Sequence, residues 1–576
     1  MIKLKELKPK FTAPRHENLR ELLRYAAKTY GSDSAFIVKH KNGKDVSYEH
    51  ISFQEFAGRV NQLGTALLKR GMKGKRIATV SKNRVEWMEA YFATLGGLGF
   101  SVPLDKGLPY EELESSLVRS YTDVLVFEAA QLADIEKLKA ESRTQITEYI
   151  CMDEIEGYLS IPQLREEGKA LLEEGFDEYL GLPIDAMENQ IILFTSGTTS
   201  LSKAVLLSHY NLVENVYGLQ LAEDIHRGDV NMAFLPYHHT FGSTGQTLML
   251  ACGVTTTYCD GLKYLQKNIV EYKVSVFFCV PLLIESIYKR IMATVKKEGK
   301  EGTVKFGIAL SQFLLKFGID IRRKIFKSVL DQLGGNLRFV ISGAAAIDPE
   351  AIEGFNNFGI KAVQGFGMTE ASPVITAENH WEQEYGSCGR ALPGVEVAID
   401  NPDEYGIGEI ICRGPNVMAG YYENEEDTAK TLIDGWLHTG DLGRISDKGY
   451  LFICGRKKNV IVLKNGKNVY PEEIEVLIAG LPYVAENFIF GKPRLNDGDE
   501  RDLALWAKIV YNAEYMKENY GASTPEEAEA VIRRDIDAIN ETLPVYKQIF
   551  KLIVTDQEMV KTTTGKVKRY EETKNL

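Results

Sequence analysis

Short, wholly apolar runs alternate with stretches whose apolar residues return every third or fourth position. Arg76-Ile77-Ala78-Thr79-Val80, Asp123-Val124-Leu125-Val126-Phe127 and Gln190-Ile191-Ile192-Leu193-Phe194 have the pattern of strands buried on both faces, and Val46-Ser47-Tyr48 that of a shorter strand. Helical spacing covers residues 18–30, 53–71, 84–95 and 212–221. This alternation of strand and helix predicts a parallel α/β sheet. The acidic stretch 166–177 predicts a solvated helix.

Length changes the picture next, because 576 residues exceed what one core can hold and predict at least two domains. With 44% hydrophobic and 26% charged residues the chain is that of an ordinary globular protein. A net charge of −12 excludes a general nucleic-acid binder, which needs a clustered positive surface. Seven cysteines without a Cys-x-x-Cys pair predict a reducing, cytoplasmic compartment. The basic start Met1-Ile2-Lys3-Leu4-Lys5 leads into no apolar core, so no signal peptide is expected. The uncharged run 90–104 contains three glycines and a proline and is too short for a transmembrane helix.

Two hydroxyl-rich turns carry the candidate chemistry. Thr195-Ser196-Gly197-Thr198-Thr199-Ser200-Leu201-Ser202-Lys203 directly follows the strand 190–194 and precedes the helix 212–221. Strand, small-residue turn and helix is a geometry in which backbone N–H groups and hydroxyls converge on an anion. A Ser/Thr-rich surface loop is the alternative. A Walker-type loop requires Gly before the lysine and Ser or Thr after it, where this chain has Ser202 and Ala204. The second turn, Lys561-Thr562-Thr563-Thr564-Gly565-Lys566, lies close to the chain end and supplies another lysine. Two distant phosphate-facing pieces imply a bipartite site.

Read in order, further motifs resemble one family. They are Leu235-Pro236-Tyr237-His238-His239-Thr240-Phe241-Gly242, Ser342-Gly343-Ala344-Ala345-Ala346 and Gln364-Gly365-Phe366-Gly367-Met368-Thr369-Glu370. Gly389-Arg390-Ala391-Leu392-Pro393-Gly394, Gly408-Glu409-Ile410, the 434–441 stretch ending Thr439-Gly440-Asp441, Gly455-Arg456-Lys457-Lys458 and the 465–475 stretch follow before Lys566. The set resembles the adenylate-forming superfamily over nearly the whole chain, and within it looks most like the AMP-forming long-chain fatty acyl-CoA synthetases. The resemblance implies an α/β fold: a large N-terminal domain of stacked α/β sheets with a small β-barrel-like subdomain, residues 1–455, and a small mobile α+β C-terminal domain, residues 456–576.

The implied activity is an acid–thiol ligase that turns a fatty acid and ATP into an acyl-adenylate and then passes the acyl group to coenzyme A. Such chemistry needs fixed donors and cations aimed at the charge that builds on the α-phosphate. By resemblance, Thr195, Ser196, Gly197, Thr198, Thr199 and Lys203 hold the β- and γ-phosphates, Thr369 touches the α-phosphate, and Glu370 holds Mg²⁺. Lys566 bridges the substrate carboxylate and the α-phosphate. Asp441 takes the ribose hydroxyls with Arg456 in support, and Phe366 stacks on adenine beside Gly343, Ala344, Ala345 and Gly367. His239 and Gly365 line the acyl pocket, and Lys458 is the hinge on which the C-terminal domain turns between two half-reactions. Taken singly these residues have plainer roles: Asp441 as a turn residue, Glu370 as an acid at a helix start, Phe366 as core, His239 as a satisfied core histidine.

Departures from the family pattern concentrate in the first turn, where Ser200, Ser202 and Ala204 replace its usual glycine, proline and glycine. A ligase charging an acyl carrier protein and a homologue that binds without turnover are the other readings. Residues 302–335 carry Leu310, Phe313, Phe317, Ile321, Ile325 and Val329 at helical intervals among Lys and Arg, which predicts either a helix packed on its own protein or a peripheral contact with an anionic membrane.

Overall fold

The buried runs pair side by side into two large sheets. In the first, Ile191–Phe194, Phe100–Leu104, Arg76–Val80, Val124–Phe127 and Glu148–Cys151 are parallel neighbours in that order. In the second, Thr255–Tyr258, Val230–Ala233, Val276–Cys279, Phe339–Ser342 and Lys361–Gly367 are parallel, and Val374–Ala377 adds antiparallel to the last. The computed structural model of the protein describes residues 1–195, 202–464, 466–494, 502–561 and 567–574.

Helices fill the space between the sheets. Leu19–Tyr30, Phe53–Lys69, Val85–Ala93, His209–Ala222 and Thr240–Ala251 share one core with strand residues of both sheets, including Ile77, Leu193, Val276 and Phe339. Thr240–Ala251 is buried at eleven of its twelve positions, as a helix sandwiched in a central layer must be. The outer faces carry separate cores, one around Phe277, Phe326 and Phe355, the other around Leu104, Leu125 and Phe127.

Side chains fix where these helices begin. Asn18 and Ser52 accept from backbone N–H groups of the first turns that follow them, and Ser208 with Asn211 forms a capping box at His209–Ala222. The short strand expected at 46–48 is longer, Asp45–Ser52, because it pairs along its length with Ser34–Asn42. The helix expected over 84–95 runs as an α-helix to Ala93 and continues as a π-helical turn over Thr94–Leu98, which breaks at Gly97, where φ is +94° and a Cβ would meet Leu182 at 2.9 Å. The acidic helix starts earlier, at Ile161, and is less solvated than predicted: a Cβ on Gly168 would meet the Gln62 carbonyl at 1.8 Å, so this face lies tight against Phe53–Lys69.

An antiparallel sheet of six strands follows the two large ones, with Glu396–Asp400, Gly408–Arg413, Trp436–Ile445 and Leu451–Arg456 at its centre. Beyond it, Val484–Pro493, Leu503–Tyr511 and Ile549–Thr555 form a three-stranded sheet backed by Pro471–Ala479 and Pro525–Thr542. This part has its own core, including Ile474, Ile489, Ile509 and Ile532. Among the described residues no helix is long and apolar enough to cross a membrane.

Candidate active site

Strand order locates the site before any side chain is considered. In the second sheet the chain leaves Val230–Ala233 toward one edge, returns to Val276–Cys279, and then proceeds toward the other edge. The crevice outside the carboxyl ends of such a switch point is where open α/β sheets bind ligands. The loop leaving Val230–Ala233 carries His239, the turn after Phe339–Ser342 carries Gly343, Ala344 and Ala345, and the end of Lys361–Gly367 carries Thr369 and Glu370. Carboxyl-end loops of the first sheet meet this crevice: Asn83 Nδ2 donates to the Leu235 carbonyl at 2.8 Å, and the Tyr237 N–H donates to Asn83 Oδ1 at 2.9 Å.

Within the crevice the motif residues touch one another. Thr240 and Thr369 approach hydroxyl to hydroxyl at 3.4 Å. A Cβ on Gly343 would lie 3.0 Å from the Phe241 ring, which explains glycine there. Ala344 next to it is exposed and holds a φ of +73°, a left-handed conformation that costs a non-glycine residue about 1 kcal/mol and tends to mark functional turns. Gly367 is required sterically, since a Cβ would meet the Pro373 carbonyl at 2.0 Å. A Cβ on Gly365 would meet the Thr376 carbonyl at 2.8 Å. Phe366, between them, points the other way into the shared core and is 9% exposed. His239 caps Thr240–Ala251 by accepting the Phe241 N–H at Nδ1, 3.2 Å away.

The 195–203 turn is set differently from the expectation. It does not lead straight into a helix: the antiparallel strand Ala204–Leu207 intervenes, pairing with Ile191–Phe194 as a hairpin. The sequence reading missed this strand because Ala204-Val205-Leu206-Leu207 is only four residues long and abuts the next helix cap. Thr195 closes the hairpin by donating its N–H to the Lys203 carbonyl at 2.9 Å. Ser196, Gly197, Thr198 and Thr199 lie outside the described residues, as does Lys566. Arg119 braces the base of the turn by donating to the Ser202 carbonyl at 2.7 Å.

Tyr421 and Asp427 are site residues that the sequence reading did not single out. The strand Gly420–Tyr421 pairs with Ala204–Leu207 and so brings Tyr421 alongside that hairpin. Its hydroxyl donates to Glu370 Oε1 at 2.9 Å, with both residues buried. Burial first, and the Glu370 charge second, raise the Tyr421 hydroxyl far above the usual phenol range, so it remains a donor. Lys203 Nζ lies 4.6 Å from the centre of the same ring and 3.0 Å from Asp427 Oδ2. That bond from Lys203 holds the Asp427 carboxyl below its ordinary pKa. Only strand pairing signals these contacts, since nothing in local spacing joins Lys203, Glu370 and Tyr421.

Asp441 and Arg456 face each other across neighbouring strands of the third sheet, with Arg456 Nε 2.7 Å from Asp441 Oδ1. Asp441 is 5% exposed and receives the Thr439 hydroxyl as an acceptor for its own N–H at 3.1 Å. A shallow pocket is lined by Gly440, Arg456, Lys457 and Lys458. Lys458 sits on the single turn Lys457–Asn459, between the third sheet and the C-terminal part. Burial lowers its pKa, and the charges of Arg456 and Lys203 act in the same direction.

Known proteins carry the same organisation. The chain matches the AMP-binding enzyme family over residues 23–422 and the AMP-binding enzyme C-terminal domain over residues 458–575. It is 27% identical over 555 residues to fatty acyl-CoA synthetase A of Dictyostelium discoideum, covering 91% of this chain and 80% of that protein. It is 30% identical over 475 residues to the peroxisomal long chain acyl-CoA synthetase 6 of Arabidopsis thaliana, covering 77% and 67% respectively. The fold is shared with ATP-bound MatB from Rhodopseudomonas palustris, at a TM-score of 0.73 and 24% identity over 97% of this chain and 99% of that one. An anthranilate CoA ligase solved with anthranoyl-AMP superposes with the same TM-score at 20% identity, covering 98% of each chain. With its crevice at the strand ends and both of its parts matched in order, this chain belongs to the AMP-binding enzyme family.

Proposed function

We propose that the protein is an AMP-forming acid–thiol ligase that activates a long-chain fatty acid with ATP and transfers the acyl group to coenzyme A. The observation that carries this reading is the meeting of Lys203 and Glu370 on Tyr421. It brings an ammonium and a carboxylate from distant parts of the chain to one turn, the charge arrangement a metal-bound triphosphate requires. The names of the relatives, fatty acyl-CoA synthetase and long chain acyl-CoA synthetase, support the acid and the acceptor.

In the first step a carboxylate oxygen of the acid attacks the α-phosphorus, the bond to the β-phosphate oxygen breaks, and pyrophosphate leaves. Lys203 and the hydroxyls of the 195–199 turn hold the β- and γ-phosphates, and Thr369 meets the α-phosphate. Glu370 fits Mg²⁺: one carboxylate oxygen is taken by Tyr421, and the other has no hydrogen bond or ion pair among the described residues. When bound, the metal supplies positive charge to the phosphate oxygens. Asp441, oriented by Arg456, accepts the ribose hydroxyls, with adenine against residues 343–345; Phe366, expected to stack on the base, is packed into the core behind Gly367 instead. His239 and Gly365 border the acyl chain at the switch-point crevice.

Lys566 completes the site by meeting both the acid's carboxylate and the α-phosphate. It falls between Lys561 and Val567, which pair across an isolated bridge. The C-terminal part from residue 456 then turns about Lys458, and the thiolate of coenzyme A attacks the acyl carbon as the bond to AMP breaks. Seven unpaired cysteines, six of them buried, support action in a reducing cytoplasm, with the acid drawn from a membrane surface. Acid-dependent exchange of pyrophosphate into ATP, followed by CoA-thioester formation, tests the reading. Absence of exchange with every fatty acid tried would overturn it, and thioester formed only on a carrier protein would replace the acceptor.

A further inference from the structure

Helix Glu301–Leu315 is turned with an apolar face outward. Phe306, Leu310, Phe313 and Phe317 are 69%, 37%, 56% and 66% exposed. At helical pitch they fall within about 60° of arc, about 110° round the helix from the buried face of Gly307 and Ser311. The expected stripe over 302–335 divides here into two populations. Phe326, Val329 and Leu330 pack into the outer core of the second sheet, while the stripe that faces solvent extends back to Phe306. The break between them is Gly318, which has a φ of +77° and ends the helical path. Ile319, just past it, is 50% exposed and prolongs the apolar surface.

The surround of this stripe is basic. Residues 296–327 hold nine Lys and Arg against three Asp and Glu, in a chain whose net charge is −12. Lys305 and Lys316 project together along one flank of the stripe by helical phase. These two and Lys324 are exposed and form no ion pair among the described residues. Arg322 and Arg323 are spent on the protein itself, on Asp320 and on the carbonyls of Leu337 and Gly359.

We infer that this face is a docking surface for an anionic phospholipid bilayer, with Phe306, Phe313 and Phe317 entering the acyl boundary and Lys305, Lys316 and Lys324 meeting phosphate headgroups. An apolar ridge bordered by unpaired lysines has the two attractions an interfacial helix uses. A second copy of this chain is the disfavoured occupant, because a two-fold pairing sets the same basic surround against itself. The surface is independent of nucleotide and acid, so its test does not depend on the enzymatic reading.

Flotation of the full chain, without ATP or acid, with vesicles of phosphatidylcholine alone and of phosphatidylcholine with phosphatidylglycerol is the experiment. The chain should float with the anionic vesicles and much less with the neutral ones. The triple variant Phe306→Ser/Phe313→Ser/Phe317→Ser should lose flotation with both. The triple variant Lys305→Gln/Lys316→Gln/Lys324→Gln should lose about a hundredfold of the anionic partitioning, at about fivefold per lysine neutralised near such a surface. Because all six side chains are exposed, both variants should keep the wild-type melting temperature and the wild-type elution volume on gel filtration. No flotation of the wild type, equal flotation of all three proteins, or a wild-type dimer that the phenylalanine variant converts to monomer would each overturn the inference.

Discussion

Tyr421→Phe removes one hydroxyl and leaves the ring, so it isolates the donor that holds Glu370. The bond is 2.9 Å long, and Tyr421 and Glu370 are 7% and 8% exposed, so water cannot readily replace it. A hydrogen bond to a charged acceptor in such a setting contributes about 1.5–3 kcal/mol. Losing it frees the carboxylate to turn from the orientation that presents its other oxygen to a metal. Partners that orient a metal ligand are worth about ten- to a hundredfold in affinity or rate. Pyrophosphate exchange titrated with Mg²⁺ at fixed ATP should therefore show half-saturation moved up by about tenfold or more, with the KM for the acid unchanged. Tyr421→Leu also removes the ring beneath Lys203, so it should weaken ATP binding on top of the metal effect. A Tyr421→Phe enzyme whose Mg²⁺ dependence and rate both overlay the wild type would refute the assignment of Glu370 and of its positioning.

Asp427→Ala removes a half-exposed partner of Lys203, and with one less negative charge beside the triphosphate the KM for ATP should fall by about two- to fivefold, an effect that added salt erases. Arg456→Ala leaves the buried Asp441 carboxylate without its cross-strand cation; because the arginine is partly exposed, the cost to stability should be about 1–2 kcal/mol in urea unfolding, with a larger loss in ATP affinity than in kcat. Lys458→Pro should harm thioester formation more than pyrophosphate exchange, since a fixed φ blocks reorientation, and equal loss in both would count against a hinge there. Burial pushes the Glu378 carboxyl up to about 8, well above its unfolded value. The folded state therefore holds a proton that the unfolded chain has released, and stability should fall as pH rises from about 4.5 to about 8; Glu378→Gln should flatten that slope in pH-dependent thermal melts.

What was legible in the sequence and what was not divide along a physical line. The parallel strands were legible because burial on both faces leaves an unbroken apolar run, as in Arg76–Val80 and Val124–Phe127. The glycines of the crevice were legible for a related reason: where a backbone carbonyl stands 2.0 Å from the place of a Cβ, as at Gly367, only one residue type can occupy the position. Contacts made by pairing of distant strands leave no such mark. Asp441 and Arg456 were found by motif, yet what makes them a unit is the register that sets Asp441 opposite Arg456. Tyr421 had no motif to call attention to it and depends on a two-residue strand laid against Ala204–Leu207, itself missed. Which way the apolar face of Glu301–Leu315 turns was left open for the opposite reason. Periodicity reports that a helix has an apolar side and is blind to whether that side faces protein, which is why Phe313 and Val329 looked alike in sequence and are 56% and 8% exposed in the fold. An apolar stripe therefore becomes evidence of a partner only once the fold has left it uncovered, and its basic border then narrows which partner that is.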